Sequence, residues 1–252
     1  MGTHGLYGYI LNGIYYLMYV HYDGDMLMSV MKREAVVILE YFETIEETRK
    51  NFEAIKYIYG NGLKPTKKII EKLKPWTNLE VETRRTDSWY CLLYHCQKSL
   101  IHTLESGFIL LNDFNKPTNS RPNYDGYICW WNLDTNEIEF FCGNVLIEKL
   151  YPIELMINKP KNFPTKTYDE IIKNFYLKQK ETYDLIEKKK SLLKLTNEIS
   201  VPNKLFEIDG MDQEKVKERI ISDTEFELKM LVNSSSSYTT LLWTDLGVIH
   251  YE

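Results

Sequence analysis

The sequence predicts an α+β fold: an antiparallel β-sheet core with packed helices, followed by a helical C-terminal portion. Three observations carry this. Two hairpin patterns, "LYGYILNGIYYLMYV" and "GYICWWNLDTNEIEFFCG", bracket a region of helical period. After Pro152 the chain becomes turn-rich and then lysine-rich, with few apolar positions. The division expected is an α+β core over 1–155 and a mainly helical extension over 156–252, with a closing strand or hairpin in "YTTLLWTDLGVIHYE".

Asn12-Gly13 is the strongest local signal. Both residues tolerate the positive φ of a type I′ turn, whose twist matches the strands it joins, and the flanks are aromatic, β-branched or apolar. A helix is expected over 28–40. Thr44-Ile45-Glu46-Glu47 is a capping box, and Ile45, Thr48, Phe52, Ile55 and Tyr59 recur at helical spacing towards Gly60. A short helix over 67–73 lies between Pro65 and Pro75. Asp87 or Ser88 caps a further helix, with Trp89, Leu92, Leu93, Cys96, Leu100, Thr103 and Leu104 as its apolar stripe and Gly107 as its end. The second hairpin turns at 134–137. A long helix spans 168–198, another starts near Asp212, and 234–237 is a serine loop.

Composition narrows the function classes. With 31 basic and 36 acidic residues the net charge is −5, so no global basic field recruits nucleic acid. No apolar run reaches the roughly 18–20 residues of a membrane span. The amino terminus lacks a secretory pattern, and four cysteines without a CxxC pair fit reduced thiols. A cytoplasmic protein is expected, with no cofactor.

The register of the first hairpin gathers the candidate site. A two-residue loop makes paired positions sum to 25, setting His4 opposite His21 and Gly2 opposite Asp23. His4, His21 and Asp23 then share one face at the open end. Two imidazoles and a carboxylate can form an acid–base group, or satisfy one another where a sheet meets a loop. After loss of Met1, Gly2-Thr3-His4 has the donors of a square-planar Cu(II) or Ni(II) site, although no resident metal is expected.

Met1-Gly2-Thr3, the Asn12-Gly13 turn and Tyr22-Asp23-Gly24 resemble a little-characterised family of bacterial, phage, fungal and large-DNA-virus proteins. Its members begin Met-Gly-Thr-Arg and carry an aromatic-Asp-Gly or aromatic-Asp-Ser element after the first hairpin. "NLDTNEIEFF" resembles that family's later strand pair. His4 stands in place of the arginine, and Asp25-Met26-Leu27-Met28 in place of a Gly- and Pro-rich loop. The opening hairpin also looks like that of the N-terminal-nucleophile hydrolases, where a terminal Thr, Ser or Cys attacks and its own amine is the base. That likeness implies an N-terminal-nucleophile-like sheet, with Thr3 as nucleophile only after removal of Met1 and Gly2.

Other constellations read mainly as structure. Cys91, His95, Lys98 and His102 are expected on the helix face opposite the apolar stripe, with Cys91 and His95 within one turn of each other. A two- or four-residue loop in the second hairpin is expected to set Cys129 opposite Cys142; a left-handed Asn136 breaks that pairing. Trp130, Trp131, Phe140 and Phe141 read as packing, and Glu187-Lys188-Lys189-Lys190 as a solvated face of a helix with few apolar anchors. The functional expectation is a virus- or phage-related protein that binds a protein partner or a small-molecule ligand. The alternative is a hydrolase or amidase using His4, His21 and Asp23, or a processed Thr3.

Overall fold

The computed structural model describes residues 3–59, 64–77, 88–111, 117–158 and 166–198. The helix expected near Asp212, the serine loop and the closing strand lie outside these residues, as do Met1, Gly2, Asp87 and Asp113.

The first hairpin forms as its turn dictates. Strands β1 (Gly5–Leu11) and β2 (Ile14–Val20) pair antiparallel from Leu11↔Ile14 to Gly5↔Val20. Asn12 and Gly13 take φ of 54° and 71°, both in the left-handed region. Helix α1 (Leu27–Phe42) follows, its buried Leu27, Met31, Ala35 and Ile38 lying on one stripe. Thr44 caps α2 (Ile45–Glu53) by accepting the Glu47 N–H at 3.1 Å, as the capping box predicts.

That helix stops sooner than its periodicity suggests. The chain leaves it at Glu53 and enters strand β3 (Lys56–Tyr59), which pairs in parallel with β4 (Phe108–Leu111). Tyr57 and Ile58 suit a strand at least as well as a helix, so the distant β4 partner decides between them.

Helix α3 (Lys67–Leu73) forms as predicted, capped by Thr66. The helix expected over 88–107 is instead two. Helix α4 (Trp89–Leu92) and a 3₁₀ turn end before Lys98, whose φ is 68°. Ser99 then caps α5 (Leu100–Ser106), and Gly107 ends it in the left-handed conformation. Breaking the helix rotates its faces, so Cys91, His95 and His102 are buried rather than on a polar face.

Strands β5 (Tyr127–Asn132), β6 (Glu137–Cys142) and β7 (Val145–Leu150) complete a five-stranded sheet of order β2-β1-β5-β6-β7. The sheet is mixed, not purely antiparallel, because β1 and β5 run parallel from Gly5↔Tyr127 to Ile10↔Asn132. In the second hairpin Asn136 is left-handed, at φ 54°, and the register places Cys129 beside Phe140 and Cys142 beside Tyr127. The two thiols do not face each other, and both are free.

Each face of the sheet carries a cluster of buried apolar side chains. One carries Tyr7, Tyr9, Met18, Val20, Trp131 and Phe140 into the main core under α1. The other carries Leu6, Ile10, Leu17, Ile128, Trp130 and Phe141 beneath Tyr15, Tyr19 and Tyr124. The Arg121 guanidinium lies 3.9 Å from the Phe141 ring and donates to the Gly143 carbonyl at 2.9 Å.

After helix α6 (Pro152–Ile157), the long helix α7 (Tyr168–Glu198) packs its first half onto this core. Tyr168, Ile171, Ile172 and Phe175 are buried in the main cluster, with Phe175 stacked on Trp76 at 4.6 Å. Ile186 is also buried. Each large apolar side chain buried here contributes about 1.5–3 kcal/mol. No helix among the described residues is long and apolar enough to cross a membrane.

Candidate functional site

The open end of the first hairpin is a close-packed backbone junction. The His4 carbonyl accepts the Tyr127 N–H at 3.3 Å, and the Thr3 carbonyl accepts the Gly24 N–H at 3.1 Å. A Cβ on Gly24 would lie 2.6 Å from the His4 oxygen, and one on Gly126 would lie 2.8 Å from it. Asp23 takes φ 64°, a conformation that Asp adopts more readily than most residues. Asp23-Gly24 is therefore a turn in which Asp tolerates the left-handed backbone and glycine admits the neighbouring strand.

The side chains around the junction separate the residues that register placed together. His4 and His21 each have Tyr19 as a ring neighbour, with centroids 6.4 Å and 6.0 Å from it. The Tyr19 hydroxyl is 3.3 Å from His21 Nδ1, and His4 meets Tyr124 edge-on at 5.8 Å. The left-handed turn at Asp23 swings its carboxylate away, to within 3.5 Å of Lys98 Nζ. Thr3 Oγ1 donates to the Asp25 carboxylate. Two imidazoles thus share a phenol as neighbour, while Asp23 and Asp25 have partners of their own.

Electrostatics follow burial. Lys98 is pulled below the usual lysine range by burial, with Asp23 acting the other way. Burial, and secondarily Tyr19, pushes the Tyr124 phenol up to about 12, and Tyr90 rises for the same two reasons. These phenols remain protonated donors near neutrality.

A second group lies wholly inside the protein. Glu34 is fully buried, at the same helical phase as Leu27, Met31 and Ile38. Its Oε2 accepts from the Tyr7 hydroxyl and the Leu100 N–H, each at 2.7 Å, and its Oε1 accepts from Ser99 Oγ at 2.6 Å. Burial pushes this carboxyl up to about 7, although Ser99, Tyr7 and the N–H groups of Leu100 and Ile101 all stabilise the charged form. A lone charged residue inside an apolar stripe is the signal by which the sequence marks it.

The buried histidines belong to packing. His102 Nδ1 donates to the His95 carbonyl at 2.7 Å, and its ring lies 4.5 Å from Phe175 and 5.0 Å from Trp76. Burial lowers His95 to about 3 and His102 to about 4, and raises the Cys96 thiol to about 12. A neutral His95 supplies no imidazolium to activate Cys91. Among the described residues no three His, Cys, Asp or Glu side chains are placed to hold a metal ion.

Comparison with known protein families, curated proteins and solved structures gives no match. Function therefore rests on this geometry.

A further surface feature is the outer strand. β7 is the last strand of the sheet among the described residues. Val145, Leu146 and Ile147 are exposed by 63%, 47% and 57% in succession, and Ile157 of α6 by 73%. Three consecutive exposed positions leave both faces of the strand open at this end. Beyond them Lys149 Nζ pairs with Glu137 at 2.9 Å and Glu139 at 3.4 Å, while Lys32 of α1 pairs with Glu148.

Proposed function

We propose that this protein works by binding a protein partner along β7. The observation carrying this reading is the uninterrupted exposure of Val145, Leu146 and Ile147 on an outer strand. An outer strand offers a row of backbone donors and acceptors, and natural proteins usually protect such edges with charge, proline or a cover. Here the charges begin only at Glu148. An extended segment with alternating apolar residues would add as a further strand and place its side chains against the three exposed ones. Ile153 and Ile157 of α6 extend the apolar surface past the strand.

The test is recovery of the bound protein from the native host by wild type, Ile147→Lys and His21→Ala. The reading expects one partner, captured by wild type and His21→Ala and lost with Ile147→Lys. Equal capture by all three variants would rule out the outer strand.

A second reading is an amidase using Thr3 or the His4–His21 face, favoured by the bond from the Thr3 hydroxyl to Asp25. It expects a native chain beginning at Thr3 and amide hydrolysis that disappears in Thr3→Ala.

A further inference from the structure

Glu34 and the open end of the hairpin are joined by three consecutive residues. Ser99 and Leu100 both donate to the Glu34 carboxylate, and Lys98, just before them, reaches Asp23 at 3.5 Å. Lys98 holds a left-handed backbone at φ 68°, which a side chain with a Cβ resists unless its neighbours fix it. Ser99 and Leu100 are that fixture, and Glu34 is what they are fixed to.

The ionisable groups facing Glu34 are few. Tyr7 comes from β1, with the Cys129 thiol of β5 behind it. Tyr168 of α7 lies close enough to sense the carboxylate charge. The backbone N–H of His102 in α5, not its imidazole, donates to the same Ser99 Oγ at 3.1 Å. Among the described residues no lysine or arginine pairs with Glu34, so its charge is held by hydrogen bonds alone.

We propose that Glu34 is a proton-linked latch on the open end of the first hairpin: a proton on its carboxyl loosens the Ser99-Leu100 anchor and lets Lys98 part from Asp23. The proton comes from solvent and rests on Oε1, reversing the Ser99 bond. Ser99 Oγ, already accepting from His102, now accepts from the carboxyl as well, and its own hydrogen swings off Oε1. The Tyr7 and Leu100 bonds to Oε2 lose their charge assistance, which roughly halves the strength of such a bond. Burial supports the step by disfavouring the charged form near neutral pH.

The experiment is NMR of the full chain from about pH 5 to about pH 9, where a displaced carboxyl titrates. It is run with His4→Gln and His21→Gln, so that the open end of the hairpin carries no imidazole. The Leu100 amide and the Asp23 carboxyl carbon are expected to move together with one midpoint. Glu34→Gln, which mimics the protonated carboxyl in shape and in donating to Ser99, is expected to hold the Asp23 signal at its low-pH position throughout. Tyr7→Phe removes one donor to the carboxylate and is expected to move the shared midpoint upward, so it decides the matter if Glu34→Gln does not fold. The proposal is overturned by a flat Leu100 amide, by a Leu100 titration that Asp23 does not follow, or by a midpoint unmoved in Tyr7→Phe.

Discussion

Arg49 Nη1 lies 2.8 Å from the Asp134 carboxylate, and this pair closes two of the sheet's hairpin turns, β1–β2 and β5–β6, against helix α2. Asp134 Oδ1 also accepts the Asn12 N–H at 2.9 Å and Oδ2 the Gly13 N–H at 2.8 Å, while Arg49 reaches the Leu133 carbonyl at 2.9 Å. Burial raises the Asp134 carboxyl, but the Gly13 and Asn12 amides and Arg49 together bring it below the usual range. Such a depressed carboxyl stabilises the fold above its unfolded value of 3.8 and loses that contribution as pH falls through its folded one. Asp134→Ala leaves two turn amides without their acceptor and Arg49 without its carboxylate partner. It is expected to lower stability by about 1–3 kcal/mol in urea unfolding.

Gly24→Ala tests the junction at the hairpin's open end. The new Cβ would meet the His4 carbonyl at 2.6 Å, which the backbone cannot yield cheaply. A loss of about 1–3 kcal/mol is expected, as for other overpacked sites. An unchanged urea midpoint would show that the three segments can separate freely.

The buried groups make opposite contributions to the pH dependence of stability. Glu34 has a folded value of about 7 against 4.5 unfolded, so its contribution is fully present below 4.5 and is lost as pH rises through 7. His95 and His102 have folded values of about 3 and about 4 against 6.5, so theirs is present above 6.5 and lost as pH falls through the folded values. Two histidines outweigh one glutamate between 4.5 and 6.5, so wild type is expected to weaken as the solution is acidified across that window. Glu34→Gln removes the opposing contribution and is expected to steepen the acid loss. His102→Leu is expected to make it shallower. Thermal midpoints measured at several pH values check both signs.

The exposed strand residues carry little of the fold. Ile147→Lys is expected to change stability by less than about 0.5 kcal/mol. A larger loss in urea unfolding would mean that Ile147 is covered in solution.

What the sequence makes legible divides along the range of the forces involved. The Asn12-Gly13 register, the Thr44 cap and the Gly107 helix end are set by neighbours a few residues away, and all three form as read. Strand β3 is decided by β4, far along the chain, so local periodicity extends α2 too far. The break at Lys98 has the same origin, since Glu34 receives the Leu100 N–H and starts a new helix there. At the candidate site, register correctly puts His4 and His21 at one end of the hairpin. It does not reveal Tyr19 as the ring neighbour of both or Lys98 pairing with Asp23, because neither follows from strand alternation. Glu34 goes unread in the sequence, where its one signal is a charge in an apolar stripe, and only the fold supplies its donors.

The parallel pairing of β1 with β5 has a consequence for how the chain comes to be folded. During synthesis the first hairpin is made well before β5, so one long side of β1 waits for Tyr127 and the residues after it. Until then Leu6, Ile10, Tyr7 and Tyr9 belong to a two-stranded ribbon too small to bury them. Non-local closures of this kind are slow and leave apolar edges open in the meantime. The side of β1 that faces β5 therefore stays an open strand edge until the second hairpin has been made.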